Sequence, residues 1–351
     1  MIVIGVMSGT SLDGLDLACC RFESKGKWSF ELQNAITIPY NHHWRRLLEG
    51  LQGVPGIDLI KADMDYGQYI GKEIVRFINN NGVKPDLIAS HGHTVFHQPD
   101  KGFTLQVGNG HAIAAVTGIP VVYDFRSLDV ALGGQGAPLV PLGDQILFSD
   151  YTCCLNLGGF ANISFDQLIR GRVAFDICPV NIVLNYLAQK TGHLYDNKGE
   201  MASTGNLDFH LLERLNNLDY YSVNYPKSLG KEWVKQFIFP LIESSDIPVE
   251  DQLHTFSTHI AVQIAKSLEI IGSGQVLVTG GGAFNDFLIQ TIRNHTRSEL
   301  IIPENDLVNF KEAMVFGFLG LLRTRNEINC LRSVTGASKD SVCGLLVNPS
   351  H

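Results

Sequence analysis

The feature that most constrains the fold is a pattern of strand, glycine turn and strand that occurs twice. The chain opens with two β-like runs, Met1–Met7 and Leu15–Phe22, joined by the turn-rich stretch SGTSLDG. A similar pattern appears at residues 151–165, where YTCCLNL leads through a Gly-Gly pair into FANISF. Apolar runs on both sides of a glycine-rich turn are typical of β-hairpins. Two similar hairpins, one opening each half, predict an internally duplicated protein.

Strand-like runs alternate with helical patterns in the rest of the chain. The runs predicted to be strands are Asp86–Ala89, Pro120–Tyr123, Val173–Phe175 and Gln275–Thr279. The segments predicted to be helices are Met64–Asn80, Asn181–Gln189, Val249–Ile271 and roughly Lys311–Arg323. Strands that alternate with helices favour an α/β fold.

The length of 351 residues favours two lobes, because single hydrophobic cores stop growing at about 250 to 300 residues. The repeated hairpin places the boundary near residue 150. Residues 1–150 are expected to form an N-terminal lobe with the first hairpin. Residues 151–351 are expected to form a C-terminal lobe with the second hairpin, although the last helix could pack back on the first lobe.

Composition and charge argue against nucleic acids and membranes as partners, and they favour a reducing compartment. The formal net charge of −8 gives no general field that would attract a nucleic-acid backbone or an anionic membrane surface. The apolar start lacks a basic region and breaks at Ser8-Gly9-Thr10, so we expect neither a signal peptide nor a membrane helix, and a cytoplasmic protein. The seven cysteines include no C-x-x-C pair, which favours reduced, buried thiols.

The turn of the first hairpin has the residue types of a phosphate-binding loop. Its glycines let backbone amides approach an anion, its hydroxyls add donors, and Asp13 could hold Mg²⁺ through water. The chain has no Gly-Lys-Ser/Thr tripeptide, so this is not a P-loop. A polar turn without a ligand is the alternative reading. The predicted nucleotide-binding residues of this hairpin are Gly9, Thr10, Ser11, Leu12, Asp13, Gly14, Leu15 and Asp16.

Two further glycine turns lie in the second half. Gly158-Gly159 could hold the phosphates from the opposite lobe, and the triplet Gly280, Gly281 and Gly282 follows a strand and could seat adenosine. Each is weak evidence alone, because glycine pairs after strands are usually turns. The order of the three glycine motifs along the chain makes them informative together.

Asp176 is the candidate catalytic base. It follows the run Arg172–Phe175 and precedes the helix predicted to begin near Asn181. Phosphoryl transfer to an alcohol needs a carboxylate that accepts the hydroxyl proton. A carboxylate at this point could equally cap the following helix.

Two polar strand ends are predicted to be loops near a ligand, since ligands gather at the carboxyl ends of strands in open α/β sheets. One is Ser90–Thr94, which contains His91 and His93, and the other is Asp124–Arg126. A metal site at the two histidines lacks a third ligand of suitable spacing. The loop Gly133–Pro138 could close over a substrate or be an ordinary turn.

A series of motifs identifies a family that the chain resembles. The series is, in order, SHGHT, TLQVGNG, VVYDFRSLD, GGQGAPLVP, LNLGGFANIS, YDNKGEMASTGN, VTGGGAFN and KEAMVFGFLG. Over essentially the whole chain it resembles that of the anhydro-N-acetylmuramic acid kinases. The resemblance implies an α/β, two-lobed, actin-like ATPase fold, related to ribonuclease H, with an ATP cleft between the lobes. It also implies ATP and Mg²⁺ as cofactors, and a reaction of peptidoglycan recycling in which water opens the 1,6-anhydro ring while the 6-hydroxyl receives the γ-phosphate.

The resemblance also assigns roles to residues. It places the leading hairpin on the ATP phosphates and makes Asp176 the base that activates water at the anomeric carbon. Arg126, Glu312, His93 and Thr94 are expected near the sugar. Two departures affect this region. His93 stands where the family usually has Gln, and Cys178 and Val180 replace the two glycines of the Asp-x-Gly-Pro-Gly-Asn motif.

Two alternatives stay open from the sequence. One is a kinase of another amino sugar, and the other is a non-catalytic or chaperone-like actin-fold ATPase whose partner is a protein. The expected partner is a small amino sugar, with no nucleic acid and no membrane, and with a second copy of the chain as an open possibility.

The role of the leading hairpin is testable through Asp13. Asp13→Ala removes the carboxylate expected near Mg²⁺, so it should strongly weaken Mg-ATP binding or turnover. Titration calorimetry and steady-state kinetics measure both. Unchanged ATP affinity together with unchanged turnover would remove the hairpin from the site.

Overall fold

The structure is a computed structural model that describes residues 1–9 and 12–349. The chain divides into two compact units, one formed by Met1–Leu147 with the stretch from Phe310, the other by Phe148–Asn309. In the described residues the strands are β1 (Ile2–Ser8), β2 (Gly14–Lys25), β3 (Lys27–Pro39), β4 (Leu87–Gln98), β5 (Phe103–Val107), β6 (Val121–Tyr123), β7 (Cys153–Leu157), β8 (Phe160–Gln167), β9 (Gly171–Pro179), β10 (Gln275–Thr279), β11 (Glu299–Ile301) and β12 (Leu345–Val347).

Helices of three to 26 residues connect these strands. They are α1 (His42–Gly50), α2 (Gly56–Asn81), α3 (Gly110–Thr117), α4 (Ser127–Ala131), α5 (Val140–Leu147), α6 (Asn181–Gln189), α7 (Glu200–Thr204), α8 (Phe209–Asn216), α9 (Lys231–Trp233), α10 (Phe239–Glu243), α11 (Val249–Ile271), α12 (Asp286–His295), α13 (Asn305–Thr324) and α14 (Arg332–Thr335).

The sheet of the first unit has the order β12-β6-β4-β1-β2-β3, with β5 paired to β4. Strands β1, β2 and β3 are antiparallel neighbours, whereas β4 pairs in parallel with both β1 and β6. Its central strands read as continuous apolar runs because both faces are covered, as in most parallel sheets. The core of this unit includes Ile4, Val6, Leu15, Tyr66 and Ile88.

The sheet of the second unit repeats this arrangement. Its order is β11-β10-β7-β8-β9, with β7, β8 and β9 antiparallel and with β10 parallel to both β7 and β11. The strands β9-β8-β7-β10-β11 therefore correspond in order and direction to β3-β2-β1-β4-β6. The predicted α/β class with internal duplication and the actin-like architecture is confirmed.

Most predicted elements agree with the structure, and the differences have a physical cause. Helices α6 and α11 and strand β10 have the predicted bounds. The predicted loop Ser90–Thr94 is wrong, because β4 continues through it and pairs with β5. The strand is irregular at this point, with a register shift between β1 and β4 and a positive φ of 73° at Gly92. Helices α2 and α13 begin eight and six residues before the predicted segments, because weakly periodic first turns are difficult to recognise in sequence.

No helix in the described ranges is both long enough and apolar enough to cross a membrane.

The contact between α13 and β1 depends on Gly5. A Cβ atom at this position would lie 1.8 Å from the carbonyl oxygen of Ala313 and 2.9 Å from the amide nitrogen of Gly317. Both of these atoms belong to the helix backbone, which cannot move aside as a flexible side chain would. Glycine therefore sets how closely α13 packs on the sheet.

We expect Gly5→Ala to destabilise the protein by at least about 3 kcal/mol, the upper end of the usual cost of overpacking. Gly53→Ala is the matched control, because no atom lies within 4 Å of a Cβ built at Gly53. The control should change the free energy of unfolding by less than about 1 kcal/mol. Urea denaturation of both variants measures the difference, and equal midpoints would show that α13 packs differently.

Candidate functional site

The turn of the leading hairpin places two carboxylates close together. Thr10 and Ser11 lie outside the described residues. The side chain of Asp13 is exposed, and Asp16 is half-buried and accepts a hydrogen bond from Thr37 Oγ1 at 2.6 Å. Burial raises the pKa of Asp16, the bond from Thr37 lowers it, and the charge of Asp13 raises it. Two repelling carboxylates of this kind suit a hard cation such as Mg²⁺.

The backbone of this hairpin turns tightly. Leu12 has a left-handed φ of 60°, and its amide donates to the carbonyl of Gly9 at 3.3 Å. The side chain of Leu15 is fully buried in the core of the unit, so only its backbone could take part in binding. Gly14 begins β2 beside Ile38 of β3.

His93 lies next to the base of the hairpin. The parallel register of β1 and β4 pairs Ser8 with His93, and Ser8 Oγ lies 3.1 Å from His93 Nδ1. Tyr40 Oη donates to the same hydroxyl at 2.7 Å. Burial lowers the pKa of His93 to about 4, so the imidazole is neutral at pH 7. The neighbouring Thr94 is half-buried, and its hydroxyl accepts a long hydrogen bond of 3.5 Å from Gln106.

His91 and the loop after α4 hold Arg126. Arg126 Nε donates to His91 Nε2 at 2.9 Å, which leaves the histidine proton on Nδ1, 2.9 Å from the carbonyl of Gly92. Arg126 Nη1 donates to the carbonyl of Gly136 at 2.6 Å. Burial lowers the pKa of Arg126, and the nearby Glu312 raises it. A guanidinium held by two acceptors presents its remaining donors in a fixed direction.

Glu312, on α13, belongs to the same neighbourhood. Glu312 keeps a solvent-exposed surface. The protein atoms around its carboxyl group nevertheless remove part of its hydration, and this desolvation raises the pKa of Glu312. The charge of Arg126 lowers this pKa, and the charge of Asp16 raises it. The structure thus brings together three predicted site residues from distant parts of the first unit.

Asp129 is a residue of this region that the sequence interpretation missed. Its fully buried carboxylate accepts hydrogen bonds from the amide of Gly136 at 2.7 Å, from Thr335 Oγ1 at 2.7 Å and from Cys330 Sγ at 3.0 Å. It fixes the glycine loop that in turn holds Arg126. The position of Asp129 in the motif VVYDFRSLD could have marked it as a site residue. No sequence pattern indicated that its hydrogen-bond partners would be residues near position 330.

The glycine turns of the second unit meet at one end of its sheet. Gly280 has a φ of 83°, and a Cβ there would lie 2.4 Å from Asn156 Oδ1. Gly282 packs against Leu157, at the end of β7. The carbonyls of Gly158 and Gly159 accept hydrogen bonds from the amides of Asn181 at 3.2 Å and Val180 at 2.8 Å. Two predicted glycine motifs and the start of α6 are therefore adjacent.

Asp176 lies within β9, three residues before the strand ends. Asn162 pairs with Asp176 and Ala161 with Cys178, so Ile177 is the extra residue of a β-bulge, a feature that re-aims neighbouring side chains. The helix-cap alternative is wrong, because the N-cap of α6 is Val180 and no side chain caps it.

The carboxylate of Asp176 is half-buried and partly engaged. Its Oδ2 accepts a hydrogen bond from the amide of Leu229 at 2.9 Å. Burial raises its pKa, and the bond from Leu229 lowers it. Among the described residues, none donates a hydrogen bond to Oδ1. One oxygen is thus oriented by the backbone while the other is left to accept a proton.

The segment Tyr220–Leu229 surrounds this aspartate and was not singled out from the sequence. Tyr220 Oη donates to the carbonyl of Asp176 at 2.6 Å, and the amide of Asp176 donates to the carbonyl of Lys227 at 3.2 Å. Lys227 Nζ donates to the carbonyl of Tyr220 at 3.1 Å and closes the segment. No local sequence pattern marks such a contact across 44 or more residues.

The two substituted glycine positions direct their added side chains into the protein. Cys178 and Val180 are both fully buried and belong to the apolar core of the second unit, which also contains Val183 and Ala283. Their bulk is therefore accommodated by core packing.

An open surface pocket of about 370 Å³ lies at the start of α12, the helix that follows the Gly280–Gly282 turn in sequence. Its lining residues come from the loop before α7, from α7 and from the start of α12: Lys198, Gly199, Glu200, Ser203, Asp286 and Phe287. Gly199 brings the loop against Asn285, since a Cβ at Gly199 would lie 2.3 Å from Asn285 Oδ1. An aromatic ring with polar neighbours at its rim suits a small planar ligand.

Within residues 1–9 and 12–349 there is no cluster of three or more His, Cys, Asp or Glu side chains that could hold a metal ion. A Mg²⁺ ion bound with a nucleotide does not need one, because phosphates and water supply most of its ligands.

Comparisons with known proteins extend over the whole chain. The family model described as anhydro-N-acetylmuramic acid kinase matches residues 1–349. The anhydro-N-acetylmuramic acid kinase of Acinetobacter baylyi is 34% identical over 379 residues, which cover 99% of this chain and 99% of the relative. That of Shewanella woodyi is 35% identical over 368 residues and covers 98% of this chain and 97% of its own.

The similarity to solved structures is weaker. The activator of the 2-hydroxyisocaproyl-CoA dehydratase from Clostridium difficile aligns with 93% of this chain and 96% of its own at 11% identity, with a TM-score of 0.47. A likeness of this size carries no argument about the site.

Gly280 and Gly281 form a matched pair for testing the glycine turn. Gly280→Ala forces a side chain into a left-handed backbone and against Asn156 and Leu157, whereas a Cβ at Gly281 meets nothing nearer than Asn181 Nδ2 at 3.6 Å. We expect Gly280→Ala to lower stability by about 1 to 3 kcal/mol, and Gly281→Ala to change it by less than about 1 kcal/mol. Thermal and chemical denaturation measure the difference. If both variants unfold alike, the close contact between the turn and β7 is wrong.

Proposed function

The chain belongs to the anhydro-N-acetylmuramic acid kinase family, and on that premise we propose its reaction. Water opens the 1,6-anhydro ring of anhydro-N-acetylmuramic acid, and O6 receives the γ-phosphate of ATP, which gives N-acetylmuramic acid 6-phosphate and ADP. The match of the family model over residues 1–349 carries this proposal. The half-buried, partly engaged carboxylate of Asp176 supports it as the proton acceptor.

We propose Asp176 as the general base. Its Oδ1 takes a proton from water as the water oxygen bonds to the anomeric carbon. The bond from that carbon to O6 then breaks, and its electron pair stays on O6, which forms the bond to the γ-phosphorus. The bond from this phosphorus to the bridging oxygen of ATP breaks at the same time, and its electron pair leaves with ADP. The bond from Leu229 to Oδ2 orients the carboxylate. A pKa raised by burial makes the ionised carboxylate a better proton acceptor.

The predicted sugar contacts stay proposals. Arg126, held by His91 and Gly136, would donate to oxygen atoms of the sugar, and Glu312 would accept from its hydroxyls. His93 and Thr94 lie on β4 near the base of the leading hairpin. The neutral state of His93 lets it donate or accept a hydrogen bond without adding charge, as the Gln of the family would.

The nucleotide contacts are proposed on the glycine motifs. Residues Gly9–Asp16 and the pair Gly158 and Gly159 would bind the phosphates through backbone amides. Gly280, Gly281 and Gly282 would seat the adenosine, with the base in the pocket at the start of α12, against Phe287. Asp13, with Asp16 beside it, would hold Mg²⁺ through water. When bound, Mg-ATP supplies the phosphoryl group and neutralises charge that develops on the phosphates.

The biological setting is also part of the proposal. We place the reaction in the cytoplasm, in the recycling of peptidoglycan. One of the two glycine hairpins lies in the unit of Met1–Leu147 and the stretch from Phe310, and the other lies in the unit of Phe148–Asn309. Family membership leaves the chaperone-like alternative without support. A second amino sugar as the preferred substrate is favoured only by His93 at the Gln position.

The proposal is tested by incubating the protein with Mg-ATP and a panel of anhydro and reducing amino sugars in water enriched in ¹⁸O. We expect a phosphorylated sugar from the anhydro acid, with one ¹⁸O at the anomeric carbon, detected by mass spectrometry. Phosphorylation only of reducing sugars, or a product without the label, would contradict the proposed ring opening.

Asp176→Asn tests the base. The variant keeps the shape of the side chain and removes the proton acceptor, so turnover should fall by about 100- to 10,000-fold while ATP affinity hardly changes. Asp246→Asn, in an exposed loop of the same unit, is the control and should keep full turnover.

The pH profile gives a second test of Asp176. Only the ionised carboxylate accepts a proton, and its pKa is raised, so turnover should decline on acidification at a higher pH than for an ordinary aspartate. The residual turnover of Asp176→Asn should lack this acidic limb. Near-full turnover in the variant would mean that the base is elsewhere, with Glu312 the next candidate.

A further inference from the structure

Lys227 is a half-buried cation without a carboxylate partner. Its ammonium donates to the carbonyl of Tyr220 at 3.1 Å and lies 4.5 Å from the centroid of the Tyr220 ring. No acidic side chain of the described residues lies within ion-pair distance of it. Lys190 and Lys311, by contrast, reach Glu243 at 2.8 Å and Asp144 at 2.7 Å. Burial lowers the pKa of Lys227, the direction expected for a cation removed from water without an anion nearby.

The position of Lys227 ties it to the proposed base. Its carbonyl accepts the amide hydrogen of Asp176 at 3.2 Å, and two residues later Leu229 donates to the carboxylate of Asp176. The same short segment thus orients the base and carries the unpaired cation. The ring of Tyr220 limits the directions that the ammonium can take, as expected for a cation held against an aromatic face.

The substrate of the proposed reaction supplies the missing anion. Anhydro-N-acetylmuramic acid carries an ether-linked carboxylate that is ionised at neutral pH, whereas the anhydro sugar without this ether is neutral. Arg126, the cation of the first unit that is proposed to contact the sugar, is already engaged by His91 and Gly136 and lies near the charge of Glu312. The ammonium of Lys227 is half-buried and has no anionic partner among the described residues. An anion of the substrate would therefore stabilise Lys227 more than it would stabilise Arg126.

We propose that Lys227 binds the carboxylate of the acidic sugar and is the residue that distinguishes this sugar from neutral anhydro sugars. The inference rests on the proposed function. It also accounts for how a negatively charged substrate is tolerated, since the ammonium neutralises the charge of its carboxylate. Tyr220 then acts as a positioning residue, because its hydroxyl holds the backbone of Asp176 while its ring and carbonyl hold Lys227.

The test compares Lys227→Met with wild type on two substrates that differ only in charge at this point. These are the anhydro acid and its carboxamide. Loss of one charge-assisted contact should raise KM for the acid by about 10- to 100-fold with kcat nearly unchanged. KM for the carboxamide should be the same in both proteins and close to that of the variant for the acid. Lys227→Arg should keep most of the preference for the acid.

Lys235→Met is the matched control, since Lys235 is an exposed lysine of the same unit, and it should leave both KM values unchanged. ATP affinity and thermal midpoint verify that Lys227→Met is folded. If Lys227→Met does not fold, the test uses the wild-type protein alone. The measured quantity is then the ratio of its KM for the carboxamide to its KM for the acid. A ratio near one, or an equal loss on both substrates in Lys227→Met, would overturn the proposal for Lys227. Failure of wild type to phosphorylate the acid at all would instead overturn the proposed function.

Discussion

Parallel pairing of the first strand of each hairpin with a later strand determines where the candidate residues lie. In the first unit, β1 pairs with β4, and this register puts Ser8 opposite His93. In the second unit, β7 pairs with β10 and puts Asn156 opposite Thr279, one residue before the glycine triplet. Each pairing joins a hairpin turn to a motif more than 80 residues away in sequence. Side chains alternate between the two faces of a strand. A register shift of one residue would therefore separate Ser8 from His93, and Asn156 from Thr279.

The proposed base depends on a second layer of buried polar contacts. Tyr221, next to the residue that holds the carbonyl of Asp176, bonds through its hydroxyl to His259 Nε2 at 2.9 Å. His259 Nδ1 lies 2.7 Å from Asn216 Oδ1, and burial lowers the pKa of this histidine to about 3. A neutral, fully bonded imidazole in α11 therefore fixes the turn that positions Asp176. Such networks hold a site rigidly only while every member is satisfied.

The sequence was sufficient where the signal is local. Periodicity predicted α6 and α11, and glycine turns between apolar runs predicted both hairpins, because these elements depend on neighbouring residues. The extension of β4 through Ser90–Thr94 could not be predicted, since its partner β5 decides it. The contacts of Asp129 and of the segment Tyr220–Leu229 were equally hidden, because their partners are distant in sequence. The roles of Asp176 and of the glycine motifs at the site stay predictions.

The placement of Asp176 on β9 has a consequence for solubility. β9 is the last strand of its sheet, and an open strand edge is a template on which another chain can add its own strand. The bond from the amide of Asp176 to Lys227 occupies part of that edge, and the ring of Tyr225 stacks on Phe175 with centroids 5.1 Å apart. The segment that orients a carboxylate thus also shields the sheet from self-association.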